Sequence, residues 1–144
     1  MLDFLRKEFP KVPAPVAQYV LRLPLALLFF QQGMSKFPLQ EVMASAFGLS
    51  LFSWGFAAVA EVASAVGLLL AGLIGIMWSS GQLAAIADNI TRFCGITMAC
   101  IATGVIWSLN PQSLSSVILN DYLHVSLWAG GLWFALRGNA GYDA

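Results

Sequence analysis

Charged residues are scarce in this chain of 144 residues, where they make up 10% of the sequence against 59% hydrophobic residues. A soluble domain has about a quarter charged residues, so the composition disfavours a soluble protein and indicates one that lies in a lipid bilayer. Seven basic and seven acidic residues give a net charge of zero. Without a basic surface the electrostatic argument for nucleic-acid binding disappears, and we expect no nucleic-acid partner.

Residues and motifs that hold cofactors are also few. A single histidine, His124, excludes an internal bis-histidine haem, and the sequence has no C-x-x-C-H haem site and no zinc cluster. It has no G-x-G-x-x-G pattern and no P-loop, so we expect neither a flavin nor a metal site. Cys94 and Cys100 are separated by about 600° on a helix, and we expect them to lie on different faces without a disulfide.

Long apolar stretches dominate the rest of the chain. Four of them reach the roughly 20 residues that a membrane-spanning helix needs, at residues 15–35, 54–78, 91–109 and 116–136. The segments "KFPLQE", "SSGQLAAIADN" and "NPQSLS" have the composition of loops between them. The sequence therefore predicts an all-α membrane protein, a four-transmembrane-helix bundle that forms one domain over residues 1–144.

Basic residues indicate the orientation of these four spans. They are concentrated before the first span, in the second connection and after the last span, at Arg6, Lys7, Lys11, Arg92 and Arg137. The positive-inside tendency and the even number of spans both predict that the N- and C-termini face the cytoplasm. We expect the location to be the bacterial cytoplasmic (inner) membrane. A cleaved signal peptide fits less well, because "LPLALLFF" and the cleavage-like "ASA" are too far apart.

Ionisable side chains inside the spans need a reason, because each costs about 2.5–3.5 kcal/mol at a helix centre. On the first span Arg22, Phe29, Gly33 and Lys36 follow at intervals of seven, four and three residues and share one face. The second span has a comparable face, formed by Glu61, Ser64, Ala65, Gly72 and Gly75. The fourth span has another, formed by Asp121, His124, Trp128 and Gly131. We expect all three faces to point into the bundle.

The sequence is compatible with two arrangements of the charged groups. Arg22 and Glu61 are candidates for a buried structural ion pair that fixes the helix register, although both lie about 10 Å deep from opposite sides. A tighter group falls in the outer half of the predicted bundle, away from the cytoplasm, and consists of Lys36, Glu61, Asp121 and His124. Lys36 is alternatively a snorkelling anchor at a helix end. Histidine is the side chain that exchanges protons most readily near neutral pH.

The order of these motifs resembles that of the DoxX family of small four-helix membrane proteins. The resemblance rests on "LRLPLALLFFQQGMSKF", "AEVASAVGLLLAGLIG", "TRF" and "GNAGYD". Its matched positions are Arg22, Phe29 or Phe30, Gly33, Lys36, Glu61, Gly67, Gly72, Thr91, Arg92, Gly141 and Tyr142. In one respect the chain departs from the family, because "IMWSSGQLAAIADNI" separates the Thr-Arg pair from the second helix.

The resemblance implies a membrane subunit associated with quinone-linked oxidoreduction. A quinone site needs an apolar slot with a few polar groups that bind the carbonyls and exchange protons. The candidates are Lys36, Glu61, Phe29 and Trp128 for binding and His124 and Asp121 for catalytic proton transfer. Electrons would come from a membrane-protein partner or from a donor. The alternative is a non-catalytic accessory subunit that packs against and stabilises a larger respiratory or photosynthetic membrane complex. Trp128 is alternatively a packing or interface residue and not a group that stacks on a cofactor.

Overall fold

The computed structural model describes residues 14–78 and 80–139, and within them the chain is entirely helical. Six helices occur in these ranges and no strand, which confirms the predicted all-α class. The helices are α1 (Ala14–Met34), α2 (Glu41–Ala46), α3 (Leu51–Met77), α4 (Gln82–Ser108), α5 (Leu114–Asn120) and α6 (Tyr122–Arg137).

The predicted boundaries hold for the first two long helices and fail for the later ones. Helix α1 and helix α3 match the predicted spans 15–35 and 54–78 within three residues. Helix α4 begins at Gln82, nine residues before the predicted 91. The segment "QLAAIADN" was wrongly interpreted as a loop because of its polar residues, although its alanines, leucine and glutamine favour a helix. Residues 78–81 alone connect α3 to α4.

The stretch predicted as one helix over residues 116–136 is interrupted at Asp121. The backbone of Asp121 departs from helical geometry there, with φ −111° and ψ 52°. Its side chain accepts a hydrogen bond from the backbone N–H of His124, which is the usual capping interaction of an N-cap residue. Asp121 therefore ends α5 and begins α6.

The four longer helices pack in the order α1, α3, α4 and α6. Helix α3 lies between α1 and α4, helix α6 packs along α4, and a smaller contact joins α1 to α6. The bundle has two ends, which are named after the buried cation that each contains. The Lys36 end contains the end of α1, the first half of α3, the end of α4 and the start of α6. The Arg22 end contains the start of α1, the second half of α3, the start of α4 and the end of α6.

The predicted inward faces of the first two long helices are confirmed. Arg22, Phe29, Gly33 and Lys36 are all buried on α1. On α3 the buried residues include the five predicted ones, Glu61, Ser64, Ala65, Gly72 and Gly75. Helix α6 agrees only in part, because Gly131 is buried while Trp128 is exposed.

The outer surface of the helices is strongly apolar. Large side chains such as Phe52, Phe56 and Phe93 are exposed to at least two thirds of their area. Helices α3 and α4 are long and apolar enough to cross a membrane, by length and composition. The sequence predicts an aromatic belt from three tryptophans at the ends of the apolar stretches, Trp54, Trp78 and Trp107. Trp78 and Trp107 are exposed at helix ends, in agreement with this prediction. Trp54 is not in such a belt, because it is buried.

Candidate functional site

A buried ion pair joins α1 and α3 at the Lys36 end. The Nζ atom of Lys36 lies 2.5 Å from Oε2 of Glu61, and the two side chains are 7% and 2% exposed. Lys36 also donates to the backbone carbonyl of Gln32 at 3.2 Å. The ammonium group has three N–H donors, and among the described residues these two contacts occupy two of them. Lys36 is thus a buried group and not an anchor that extends to the surface.

Gly33 makes this pairing geometrically possible. A Cβ atom at position 33 would lie 2.9 Å from the carbonyl oxygen of Ala58 and 3.0 Å from Cβ of Glu61. Only glycine allows the two helix backbones to approach so closely at this level. Lys36, which follows the last turn of α1, consequently reaches the carboxylate without leaving the protein interior.

A cavity of about 200 Å³ opens beside the ion pair. Lys36 and Glu61 line it together with Phe47, Trp54 and Ile101. The Trp54 ring stacks on the ring of Phe47 at a centroid distance of 5.2 Å, and Nζ of Lys36 lies 5.2 Å from the centre of the Trp54 ring. The arrangement is an apolar pocket with one ion pair in its wall, which is the general construction of a small-molecule site.

A second polar pair lies at the start of α6, at the same end of the bundle. Nδ1 of His124 and Oδ1 of Asp121 are 2.6 Å apart, and both side chains are about one fifth exposed. A carboxylate that accepts from Nδ1–H orients the ring and leaves Nε2 to exchange a proton. The first half of α3, which carries Glu61, and the start of α6 both lie at the Lys36 end of the bundle. The four groups predicted to lie together, Lys36, Glu61, Asp121 and His124, are therefore grouped at one end of the bundle.

Arg22 and Glu61 do not form the ion pair that the sequence suggested. Arg22 is fully buried at the Arg22 end, where it donates to the carbonyl of Leu68 at 2.7 Å. Leu68 is seven residues beyond Glu61 on α3, which is about 10 Å along the helix axis. The structure pairs the carboxylate with Lys36 instead, because the antiparallel packing of α1 and α3 places Lys36 at its level.

Arg22 joins four helices through hydrogen bonds. Its guanidinium donates to Oδ1 of Asn139 at 2.7 Å and to the hydroxyl of Thr91 at 3.2 Å. Thr91 also donates to Asn139 at 2.9 Å, and the amide of Asn139 donates to the carbonyl of Ala71 at 3.2 Å. The Phe134 ring lies 4.6 Å from the guanidinium carbon. This network connects α1, α3, α4 and the end of α6, and it supports the reading of Arg22 as an organiser of the bundle.

Arg92, the other member of the Thr-Arg pair, caps helix α6. It forms an ion pair with Asp88 at 2.7 Å and donates to the carbonyl of Leu136 at 2.8 Å. A cation at the C-terminus of a helix is favourable for the helix dipole and satisfies free carbonyl groups. Asp88 in turn accepts from the backbone N–H of Asn139 at 2.6 Å. The extended α4 thus brings both Arg92 and Asp88 against the end of α6.

Asn139→Ala is expected to destabilise the bundle by about 1–3 kcal/mol, because it leaves buried donors of Arg22 and Thr91 without this acceptor. The unfolding free energy in mixed detergent micelles would measure the loss. Asn120→Ala is the matched control, since Asn120 is exposed and, among the described residues, its side chain forms hydrogen bonds only with Ser116. It should change stability by less than about 0.5 kcal/mol. Equal effects of the two variants would contradict the role given to Asn139.

Two residues predicted to frame the site lie elsewhere. Phe29 is 1% exposed and belongs to the apolar core with Leu25, Ala65 and Leu68. Trp128 is exposed and lines a different, outward groove of about 790 Å³ beside Trp107. For Phe29 the helical spacing predicted the inward face correctly but not its distance along the bundle from the ion pair. For Trp128 the predicted inward face itself was wrong.

The aromatic residues that do frame the ion pair, Trp54 and Phe47, were missed as site residues. One signal was available: Trp54 precedes Glu61 by seven residues, which puts both on one helix face. Asn139 and Asp88 were missed as well, and no local pattern reveals them because their partners lie on distant helices. Gly141 and Tyr142 of the C-terminal motif, and Arg6, Lys7 and Lys11, lie outside the described residues.

The two cysteines are on different faces of α4, as predicted. Cys94 is buried and Cys100 is exposed, and both are free thiols. Among the residues that the structure describes, no group of three or more histidine, cysteine or acidic side chains has the arrangement of a metal site. Comparison of the chain with models of protein families, with curated proteins and with solved structures gave no match.

Proposed function

We propose that this chain is a small integral-membrane protein of the DoxX type that binds the headgroup of a quinone in the cavity beside Lys36 and Glu61. The observation that carries the proposal is the buried ion pair in the wall of an apolar cavity of about 200 Å³. A dry cavity of about 150 Å³ accepts benzene in another protein, so this volume suits one substituted six-membered ring. An apolar tail would extend from the cavity into lipid.

The proposed membrane topology has four spans, with both termini on the cytoplasmic side of a bacterial inner membrane. In addition to α3 and α4, helix α1 and the combined segment Leu114–Arg137 would cross the bilayer. The apolar outer surface supports this, since contiguous exposed apolar area of this extent is rare in soluble proteins. The buried position of Arg22 supports it as well, because charges in a membrane face the bundle interior.

The charged groups at the Lys36 end suit a ligand that takes up and releases protons. Lys36 would donate a hydrogen bond to one quinone carbonyl while Glu61 holds the ammonium in position. His124, oriented by Asp121, would exchange protons between this site and the adjacent surface. Reduction of a quinone to a hydroquinone takes two electrons and two protons, and the electrons would come from a partner protein or an external donor.

Binding of decylubiquinone, a short-chain benzoquinone, tests the proposal. The purified protein in mild detergent should bind it in a saturable manner, and Glu61→Gln should weaken binding about tenfold or more because Lys36 is no longer held by a charged partner. Equilibrium dialysis with chromatographic detection would measure the affinity. Ser64→Ala is the matched control, because Ser64 is buried one turn away on the same helix and does not line this cavity.

Absence of saturable binding to the folded wild-type protein would refute the quinone proposal. If the chain were then recovered from native membranes only within a larger complex, the accessory-subunit function would be favoured. Equal affinities of wild type and Glu61→Gln would show that quinone binds elsewhere on the protein.

A further inference from the structure

The Nε1–H group of Trp54 has no hydrogen-bond partner among the described residues. The side chain is 6% exposed, and the Nε1 atom is buried from water. A buried donor that lacks an acceptor costs about 1–3 kcal/mol, and such groups in native proteins call for an explanation such as a ligand or a bound water. Trp54 lines the same cavity as Lys36 and Glu61.

We infer that Trp54 is a specificity-determining residue of this cavity and donates its Nε1–H to a carbonyl oxygen of the bound ligand. The inference rests on the proposed function, in which the ligand is a quinone. Trp54 and Lys36 are neighbours, with Nζ of Lys36 at 5.2 Å from the Trp54 ring centre. The remaining N–H of the Lys36 ammonium and the Trp54 indole N–H are two donors of the site that no described residue accepts.

The described contacts of Trp54 hold its ring, and none of them uses the indole N–H. Phe47 stacks on one face, with an angle of 26° between the ring planes. A Lys36 ammonium beside the ring adds a cation–π attraction. An apolar molecule of the same shape would fill the cavity but leave both donors unpaired. The site should therefore prefer a ring with carbonyl oxygens over its hydrocarbon counterpart, since unpaired polar groups discriminate strongly against such analogues.

Two matched ligands test this preference. Duroquinone and durene (1,2,4,5-tetramethylbenzene) carry the same four methyl groups on a six-membered ring and differ by the two carbonyl oxygens. Duroquinone is fully substituted, so the exposed thiol of Cys100 has no open ring position to add to. Dissociation constants of both ligands are measured by equilibrium dialysis for the wild type and for Trp54→Phe, which keeps an aromatic ring and removes the N–H.

The wild type should bind duroquinone more tightly than durene. Trp54→Phe should weaken duroquinone about five- to tenfold, as expected for one lost hydrogen bond, and leave durene within twofold. An equal loss for both ligands would assign Trp54 to packing alone and overturn the inference. Unchanged duroquinone affinity would overturn it too, and the proposed function would stand if the wild type still preferred the quinone. No preference in the wild type would refute the proposed function as well.

A measurement on the wild-type protein keeps the inference testable if Trp54→Phe does not fold. In protein labelled with ¹⁵N at the indole nitrogens, the Trp54 signal is assigned by removing the other four tryptophans one at a time. These four are all exposed and are Trp78, Trp107, Trp128 and Trp133. Duroquinone should move the Trp54 N–H resonance downfield and durene should not. A signal that stays unchanged with bound duroquinone would show that a water, or no group, satisfies this donor, and would overturn the inference.

Discussion

Glu61→Ala is expected to lower the free energy of unfolding by about 3–5 kcal/mol, because it leaves the Lys36 ammonium buried without its counter-ion. The Lys36 side chain is only 7% exposed, so water cannot replace the carboxylate without a rearrangement of α1. Lys36→Met should show a similar loss, since it leaves a carboxylate that is 2% exposed. Unfolding in mixed detergent micelles, followed by helical circular dichroism, would measure both.

The double variant Lys36→Met/Glu61→Leu is the decisive comparison. Because it removes both charges, it should be more stable than either single variant, and the coupling energy of the two sites should be about 2–3 kcal/mol or more. Ser64→Ala, one turn further along α3, provides the background for a buried polar change that involves no charge. Additive effects of the two charge removals would show that the ion pair contributes nothing as a pair.

The methionine and leucine of this double variant should stabilise the fold at least as well as the ion pair does. Replacing buried ion pairs with packed apolar residues is often neutral or stabilising. Under the proposed function, Lys36 and Glu61 lie beside the cavity because they bind the ligand, and stability alone does not require the pair. If the double variant is stable and has lost decylubiquinone binding, the two roles separate experimentally: the pair is needed for the ligand and is dispensable for the fold.

The inward faces of α1 and α3 could be predicted because helical periodicity is a local property. Intervals of seven, four and three residues place Arg22, Phe29, Gly33 and Lys36 on one side whatever the rest of the chain does. All four are buried. The depth of each residue along its helix, estimated from the rise per residue, predicted a second group at one end of the bundle: Lys36, Glu61, Asp121 and His124.

Which side chains meet across helices could not be predicted in the same way. The partner of a residue depends on the relative level of two helices, and that level depends on where each helix begins. The start of α4 at Gln82 instead of 91 brings Asp88 alongside Asn139, and the cap at Asp121 resets the position of α6. The relative level of α1 and α3 likewise decides that Glu61 pairs with Lys36 and not with Arg22. An apolar Trp54 near a helix start looks like a belt residue until its neighbours are known.

Helices α4 and α6 approach closely at Gly95 and Gly131, and we expect Gly95→Ala to be strongly disruptive. A Cβ atom at position 95 would lie 2.6 Å from the carbonyl oxygen of Gly131 and 2.9 Å from the carbonyl carbon of Phe134, and it would also overlap the backbone nitrogen of Ala135. These are backbone atoms, so no side chain can rotate away. The helices would have to separate along the contact.

Gly95→Ala should therefore cost about 3 kcal/mol, the upper end of the range for overpacking, although alanine favours helices by about 1 kcal/mol over glycine. Gly104→Ala is the control, with the same substitution on the same helix at a position where a Cβ atom meets nothing within 4 Å. Gly104→Ala should leave the free energy of unfolding unchanged or raise it slightly. Unfolding free energies of the two variants measured side by side isolate the packing effect, because helix propensity is common to both. If Gly95→Ala were as stable as Gly104→Ala, α4 and α6 could not be packed as closely as Gly95 and Gly131 place them.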